Sequence, residues 1–501
     1  MTLYKSAVAA SLLALLTACG GGGGGGSSTA PVPVPVPVEP TSTQLAQICA
    51  KENPYIADAT GKTTIGTVAD EKKWIKAYMN ERYLWYRDIP KLNADDARYN
   101  VITNGALNGV RSVANYFYDS LTTLKTASGT AVDKFSFLID TASWNGFVGS
   151  TDLGYGWMVK SSSATGSRVI TVSYVYPGTP AKSSGIQRGD QIISIDGALA
   201  TDTSAQASAL FAEGLSPTRA ASHTFVLSRA GVSLTQTLLA SAVNLQQAEY
   251  KVLPTSGGKL GYLLFSSHVP GAENILVQAM TDFKQQGITD LVVDMRYNSG
   301  GYLAIANALA YSVAGSARAQ GQTFEMARFS DKRSAENYAM KFSNMGLGNQ
   351  VYPLLNLAKI YVLVTGSTCS ASESFINGLR GVNVQVELIG TTTCGKPYGF
   401  YPQDNCGLTY AGMELEGVNA KGEGGFSDGM APQCAANDDL SHPLGDPTEG
   451  MLSVALKRMQ GLSCSQATGL AIGATSLSGL SLRDHSEVVR PSWQNNKFLA
   501  Q

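Results

Sequence analysis

A multidomain α/β protein is predicted by three features of this sequence. They are its length, a change from helical to strand-rich patterning near residue 141, and a strand–helix alternation from about residue 258 onward. At 501 residues the chain exceeds one hydrophobic core, since domains run to roughly 100–200 residues each. The reading divides it at 1–19, 20–42, 43–140, 141–244, 245–464 and 465–501.

The first two segments read as an export signal and a spacer. Lys5 precedes an apolar run from Ala7 to Leu16, followed by Thr17-Ala18-Cys19. A cationic start, a short apolar stretch and small residues at the cut describe a secretory signal. The run is too short for a spanning helix, which takes about 20 apolar residues. Leu16-Thr17-Ala18-Cys19 resembles the bacterial lipobox, which implies lipidation of Cys19 and attachment to a membrane. An ordinary cleaved signal is the plainer alternative. Gly20 after the cysteine resembles the outer-membrane sorting pattern of a Gram-negative envelope, and the expected location is the outer membrane, facing the periplasm or the cell surface. Gly20 to Gly26 is a flexible coil, and Pro31 to Pro40, rich in alternating Pro and Val, is a stiffer spacer.

Residues 43–140 carry helical spacing, with Trp74, Ile75, Tyr78, Tyr83 and Trp85 in one series and Val101 to Leu124 in another. A helical cap is expected there. Residues 141–244 carry short β-type runs at 156–159, 169–172, 191–195 and 223–227, with a short helix from Ser204 to Glu213. From 258 the runs 261–265, 290–295, 360–364 and 384–389 read as strands. The stretches 272–286, 302–313 and 371–380 read as helices. Strands alternating with helices imply a largely parallel sheet covered on both faces. A helix from Thr448 to Met459 follows, and the Gly/Ser-rich stretch beyond Cys464 is expected to be loosely ordered.

Composition excludes a nucleic-acid binder. The net charge is −1, 15% of residues are charged, and no basic run occurs. With Cys19 set aside, Cys49, Cys369, Cys394, Cys406, Cys434 and Cys464 allow three disulfides in an exported protein. A Cys406–Cys434 bridge across the loop-rich segment is the expected pairing. No CxxC and no His-x-x-x-His spacing suggests a metal.

Three segments carry chemistry. Thr368-Cys369-Ser370-Ala371-Ser372-Glu373 stands between a strand and a helix. Free N–H groups and the positive end of the helix dipole there stabilise developing oxygen charge. Serine is also a favoured helix cap, and Ser367, Ser372 and Ser374 are rivals. Gly395-Lys396-Pro397 follows another strand. A lysine serves as a base only when neutral, which burial promotes; a solvated loop lysine is the plain alternative. Asp294-Met295-Arg296-Tyr297-Asn298-Ser299-Gly300-Gly301 follows a third strand, where two glycines permit close backbone approach or simply a tight turn. Sites form at the carboxyl ends of such strands.

Together these segments resemble the C-terminal-processing (tail-specific) serine peptidases, in which a Ser-Ala-Ser-Glu turn precedes a Gly-Lys. Here the lysine follows Ser370 by 26 residues. The resemblance implies a ββα-spiral (crotonase-like) serine protease core, with Ser370 as nucleophile and Lys396 as general base. It further implies an oxyanion hole from Ala371 with Gly300 or Gly301, and no cofactor. Many members place Gln four residues after the lysine; Phe400 stands there, and Gln403 lies three further on. Tyr176-Pro177-Gly178-Thr179-Pro180-Ala181 and the run from Gly185 to Gly197 resemble a PDZ domain. That implies a carboxylate-binding loop at Gly154, Tyr155, Gly156 and Trp157, and polypeptide substrates held by their C-termini. A spacer-only PDZ is the alternative.

His223, His268, His442 and His485 are scattered and no GxSxG surrounds Ser370, which disfavours a Ser–His esterase. His442 and Asp428 read as structural. The competing class is a peptide-binding lipoprotein with a vestigial protease site, for which Phe400 is the best support.

Overall fold

The computed structural model describes residues 39–148, 151–164, 167–217, 219–464, 487–489 and 497–499. Cys19 and the Gly- and Pro-rich stretches lie outside them. Among the described residues no helix is long and apolar enough to cross a membrane.

The centre is a six-stranded sheet in the order Ala248–Thr255, Gly258–Phe265, Asp290–Asp294, Lys359–Val364, Gln385–Gly390, Cys434–Ala435. The first pair is antiparallel and the rest are parallel. Strand periodicity sends alternate side chains to opposite faces. Leu263, Phe265, Leu291, Val293, Val362 and Val364 join one buried cluster with the helices Glu273–Gln286, Leu303–Ala314 and Ala371–Gly381. Tyr262, Leu264, Val292, Leu363 and Ile389 join another with the helix Gly450–Met459. These continuous apolar strands, buried on both faces, are the parallel pattern that the alternation predicted.

The N-terminal stretch forms the helices Val68–Arg82 and Gly109–Asp119. Thr67 caps the first reciprocally with Asp70, and Asn108 accepts the Arg111 N–H at the start of the second. This stretch is more than a cap laid on the core. Trp74, Tyr78, Phe117 and Phe137 belong to the same cluster as the sheet's helices, and strand Phe137–Asp140 pairs with Leu408–Ala411.

Residues 151–244 build a separate cluster around Tyr155, Val172, Ile192, Phe225 and Leu227. Its sheet runs Val232–Leu239, Ser222–Arg229, Gln191–Ile195, Ser167–Val175, Trp157–Ala164, with helix Ala205–Leu215. The strand Val232–Leu239 carries no clear alternation of apolar and polar residues, since Val232 and Leu239 are exposed and Leu238 alone is fully buried, and it was not predicted.

One expectation is corrected. The disulfides are Cys49–Cys406, Cys369–Cys394 and Cys434–Cys464, with Cα–Cα distances of 5.4, 5.2 and 5.3 Å. Cys406 meets the N-terminal strand Ile48–Ala50, whereas Cys434 lies on the edge strand in the cluster under Gly450–Met459, so the two cannot meet. Of the stretch beyond Cys464, residues 465–486, 490–496, 500 and 501 lie outside the described residues. Glu487–Val489 pairs antiparallel with Trp157–Ala164, and Lys497–Leu499 pairs parallel with Gly300–Tyr302.

Candidate active site

Three neighbouring parallel strands, Asp290–Asp294, Lys359–Val364 and Gln385–Gly390, end at one edge. The turns that leave them carry Gly300–Gly301, Ser370 and Lys396, so sheet order alone brings these segments together.

Ser370 precedes helix Ala371–Gly381 with φ 61° and ψ −118°. A non-glycine residue in that conformation costs about 1–3 kcal/mol and persists only where the surroundings impose it. They do so here. The Ser370 N–H donates to Glu373 Oε2 at 2.9 Å, and the Cys369 N–H donates to the Asn298 carbonyl at 3.0 Å. The Cys369–Cys394 bridge fixes the preceding residue to the lysine turn. The sharp turn presents Ser370 Oγ, which is buried and has no hydrogen-bond partner.

Glu373 is the hub of the site. Its carboxylate also accepts the N–H groups of Gly395 at 2.9 Å and Lys396 at 2.8 Å, and the Thr393 hydroxyl at 2.5 Å. Burial raises its pKa and those donors lower it, with burial the larger effect. Gly395 has φ 84°, and a Cβ there would meet the Ser427 carbonyl at 2.4 Å, so only glycine fits.

Lys396 is fully buried. Its Nζ stands 5.5 Å from the Phe135 ring centroid and 5.1 Å from that of Phe400. Burial pushes its pKa well below the usual lysine range, while Asp133 and Glu373 pull it upward less strongly. Burial thus favours the neutral amine, the form in which a lysine accepts a proton. Because Ser370 Oγ has no partner, the direct Ser370–Lys396 hydrogen bond is not formed in this geometry. Gln403 donates its amide to the Pro402 carbonyl at 3.0 Å. Phe400, four residues after the lysine, turns its ring toward Nζ.

Asp133 is a site residue that no motif announces. Its buried carboxylate accepts the Tyr83 hydroxyl and the Phe135 and Ser136 N–H groups, and its charge bears on Lys396. The only trace in the sequence is Asp133-x-x-Ser136, a common turn. The closeness of Cys369 to Ser370 and of Cys394 to Lys396 was legible, and it would have given that disulfide directly.

The glycine pair is divided in role. The Gly300 N–H is spent on Asn298 Oδ1 at 2.9 Å. Gly301, at φ 136°, lies so close to His268 that a Cβ would meet its carbonyl at 2.2 Å. The Gly301 N–H points away from His268, because the ladder between them uses the Gly300 carbonyl and the Tyr302 N–H. Ala371 opens its helix, so its N–H has no intrahelical acceptor. His268 does not serve Ser370. Its Nδ1 lies 3.1 Å from Asn298 Oδ1, and burial pushes its pKa down to about 3. His442 instead joins Asp439 at 2.6 Å, and its carbonyl accepts from Arg188; Asp428 accepts from Thr126 at 2.7 Å.

The Gly154–Trp157 loop leads into strand Trp157–Ala164. The Tyr155 ring is buried against Phe225, and the Tyr155 and Gly156 carbonyls are held by the Ala181 and Tyr176 N–H groups. From this domain Arg188 reaches the core. It bonds Asp438 at 2.6 Å, and Asp438 also meets Arg296 at 2.8 Å and Lys160 at 3.3 Å. Arg296 in turn pairs with Asp294 and Glu449.

The chain matches the model of peptidase family S41 over residues 259–400, of the peptidase S41 N-terminal domain over 70–137, and of a PDZ domain over 171–216. It is 26% identical over 232 residues to a carboxyl-terminal-processing protease of Picosynechococcus sp., covering 46% of this chain and 51% of that protein. The chain thus spans about half the length of that curated relative. A putative S41 protease from Bacteroides fragilis NCTC 9343 shares the fold with TM-score 0.60 at 24% identity, over 77% of this chain and 97% of that one.

Proposed function

We propose that this chain, with a peptidase family S41 core behind a PDZ domain, is a serine peptidase that cleaves exported polypeptides near C-termini captured by the PDZ domain. The observation that carries the reading is the pairing of a strained, buried, unpartnered Ser370 hydroxyl with a buried Lys396 whose pKa is held down. Ser370 Oγ attacks the peptide carbonyl and its proton passes to neutral Lys396. The Ala371 and Gly301 N–H groups hold the oxyanion. The lysine returns the proton to the leaving amine, and water then hydrolyses the acyl-enzyme. Substrate C-termini add as a strand at Trp157–Ala164, with the Gly154–Trp157 loop on the carboxylate. Export and lipid attachment at Cys19, at the outer membrane, complete the reading, since the Gly- and Pro-rich spacer suits an anchored body.

The test is covalent labelling of Ser370 by a fluorophosphonate, read by intact mass, alongside hydrolysis of a reporter peptide. Ser370→Ala is expected to abolish both, and Lys396→Ala to slow both sharply. Undiminished hydrolysis by Ser370→Ala overturns the mechanism. A second reading, a peptide-binding protein with a vestigial site, is favoured by Phe400 and by the unformed Ser370–Lys396 hydrogen bond. It requires peptide binding with no labelling of Ser370.

A further inference from the structure

The two described strands of the C-terminal stretch lie on the two elements to which the peptidase reading above assigns substrate. Glu487–Val489 lies on the free edge of Trp157–Ala164, with Glu487 opposite Ser161, Val488 opposite Lys160 and Val489 opposite Val159. Its chain direction therefore runs toward the Gly154–Trp157 loop, as a peptide captured by strand addition does. Lys497–Leu499 lies beside Gly300–Tyr302, and it also packs against helix Ala371–Gly381, which follows Ser370, and against strand Tyr398–Gly399, which follows Lys396.

The register identifies which bond is presented. Gly300 faces Lys497, Gly301 faces Phe498 and Tyr302 faces Leu499 in a parallel pair. Parallel ladders let one residue bond through its own N–H and C=O to the two residues flanking its partner. The Gly300 carbonyl and the Tyr302 N–H are already committed to His268. That leaves Gly301 as the bonding residue. Its N–H faces the Lys497 carbonyl, and its carbonyl faces the Leu499 N–H. The Gly301 N–H is the donor assigned above to the oxyanion, so the carbonyl presented to it is that of Lys497.

We infer that the chain's own C-terminus is an intramolecular substrate of this site, cut between Lys497 and Phe498. The inference rests on the peptidase reading above. Ser370 Oγ adds to the Lys497 carbonyl carbon and its proton goes to Lys396. The Lys497–Phe498 C–N bond breaks, and the Phe498 nitrogen takes that proton and leaves with the residues that follow it. Water then cleaves the Ser370 ester and leaves a carboxylate at Lys497. Until this happens Glu487–Val489 holds the edge strand and Lys497–Leu499 holds the glycine turn.

The test is intact-mass analysis of the purified full chain over time, with a reporter peptide assayed in parallel. The expected result is loss of the segment that begins at Phe498 at a rate independent of protein concentration, and no loss in Ser370→Ala. Leu499→Pro removes the N–H aimed at the Gly301 carbonyl and is expected to slow the loss about tenfold, the scale of one hydrogen bond. A tail that stays intact while the reporter is cut overturns this inference and leaves the peptidase reading standing. A tail and reporter that both stay intact overturn both. Loss that scales with protein concentration overturns the intramolecular assignment.

Discussion

Replacing Lys396 with methionine is expected to abolish Ser370 labelling and yet stabilise the fold. Lys396 is fully buried between the Phe135 and Phe400 rings. Burial drives its pKa well below the ordinary value, against the smaller opposing pull of Asp133 and Glu373. Each pH unit of that depression costs the folded state about 1.4 kcal/mol, because the unfolded lysine keeps its proton and the folded one must release it. Methionine retains the unbranched length and gains sulfur–aromatic contacts of about 0.3–1.5 kcal/mol with the two rings. Loss of the lysine's attraction to Asp133 and Glu373 offsets part of this, so a net gain of about 1–3 kcal/mol at pH 7 is expected. The sign of the pH dependence is fixed. Between the folded pKa and about 10.4 the unfolded state binds more protons, so the native chain grows more stable as pH rises. The methionine variant lacks this gain, and its advantage shrinks toward about pH 10. Urea unfolding followed by near-UV circular dichroism, with disulfides intact, at pH 6 to 10 and with matched m-values measures it. A variant less stable than the native chain by more than about 1 kcal/mol at pH 7, or an advantage that does not change with pH, would refute the electrostatic account.

Removing the Cys369–Cys394 bridge in a Cys369→Ala/Cys394→Ala variant opens a loop with a sequence separation of 25. It is expected to cost about 3–4 kcal/mol in denaturant unfolding and to slow Ser370 labelling, since the bridge pins both turns of the site. Asp438→Ala leaves Arg188, Arg296 and Lys160 facing one another without their shared anion, with an expected loss of about 3–5 kcal/mol. Burial raises the Asp438 pKa, but those cations outweigh it and hold the group well below the usual carboxylate range. Its contribution is therefore present above about pH 4 and fades as pH falls below it. Glu71 behaves oppositely, its pKa pushed up to about 7 by burial despite the Ala50 and Asn53 donors. Its protonated form favours folding, so stability of about 3 kcal/mol is lost as pH rises from about 4.5 through 7. Glu71→Gln is expected to flatten unfolding curves across that range, and an unchanged pH slope counts against the assignment.

Local chemistry made much of this protein legible in its sequence. Apolar runs such as Leu291-Val292-Val293 announce doubly buried strands whatever surrounds them. The strand–turn–helix context of Ser370 and the turn that carries Lys396 after its strand follow from preferences a few residues long. What the sequence left open depends on contacts between distant residues. The disulfide pairing is decided by which cysteines the sheet brings within bonding reach, so Cys49 meets Cys406 across a separation of 357 residues. Asp133 acquires its influence on Lys396 only because the N-terminal stretch packs into the same buried cluster as the sheet's helices. The Gly300 N–H is spent on Asn298 and the Gly301 N–H is turned away from His268, because Asn298 and His268 fold against that turn. A lysine is a cation in any sequence; the loss of water around Lys396, which only tertiary packing imposes, is what turns it into a base.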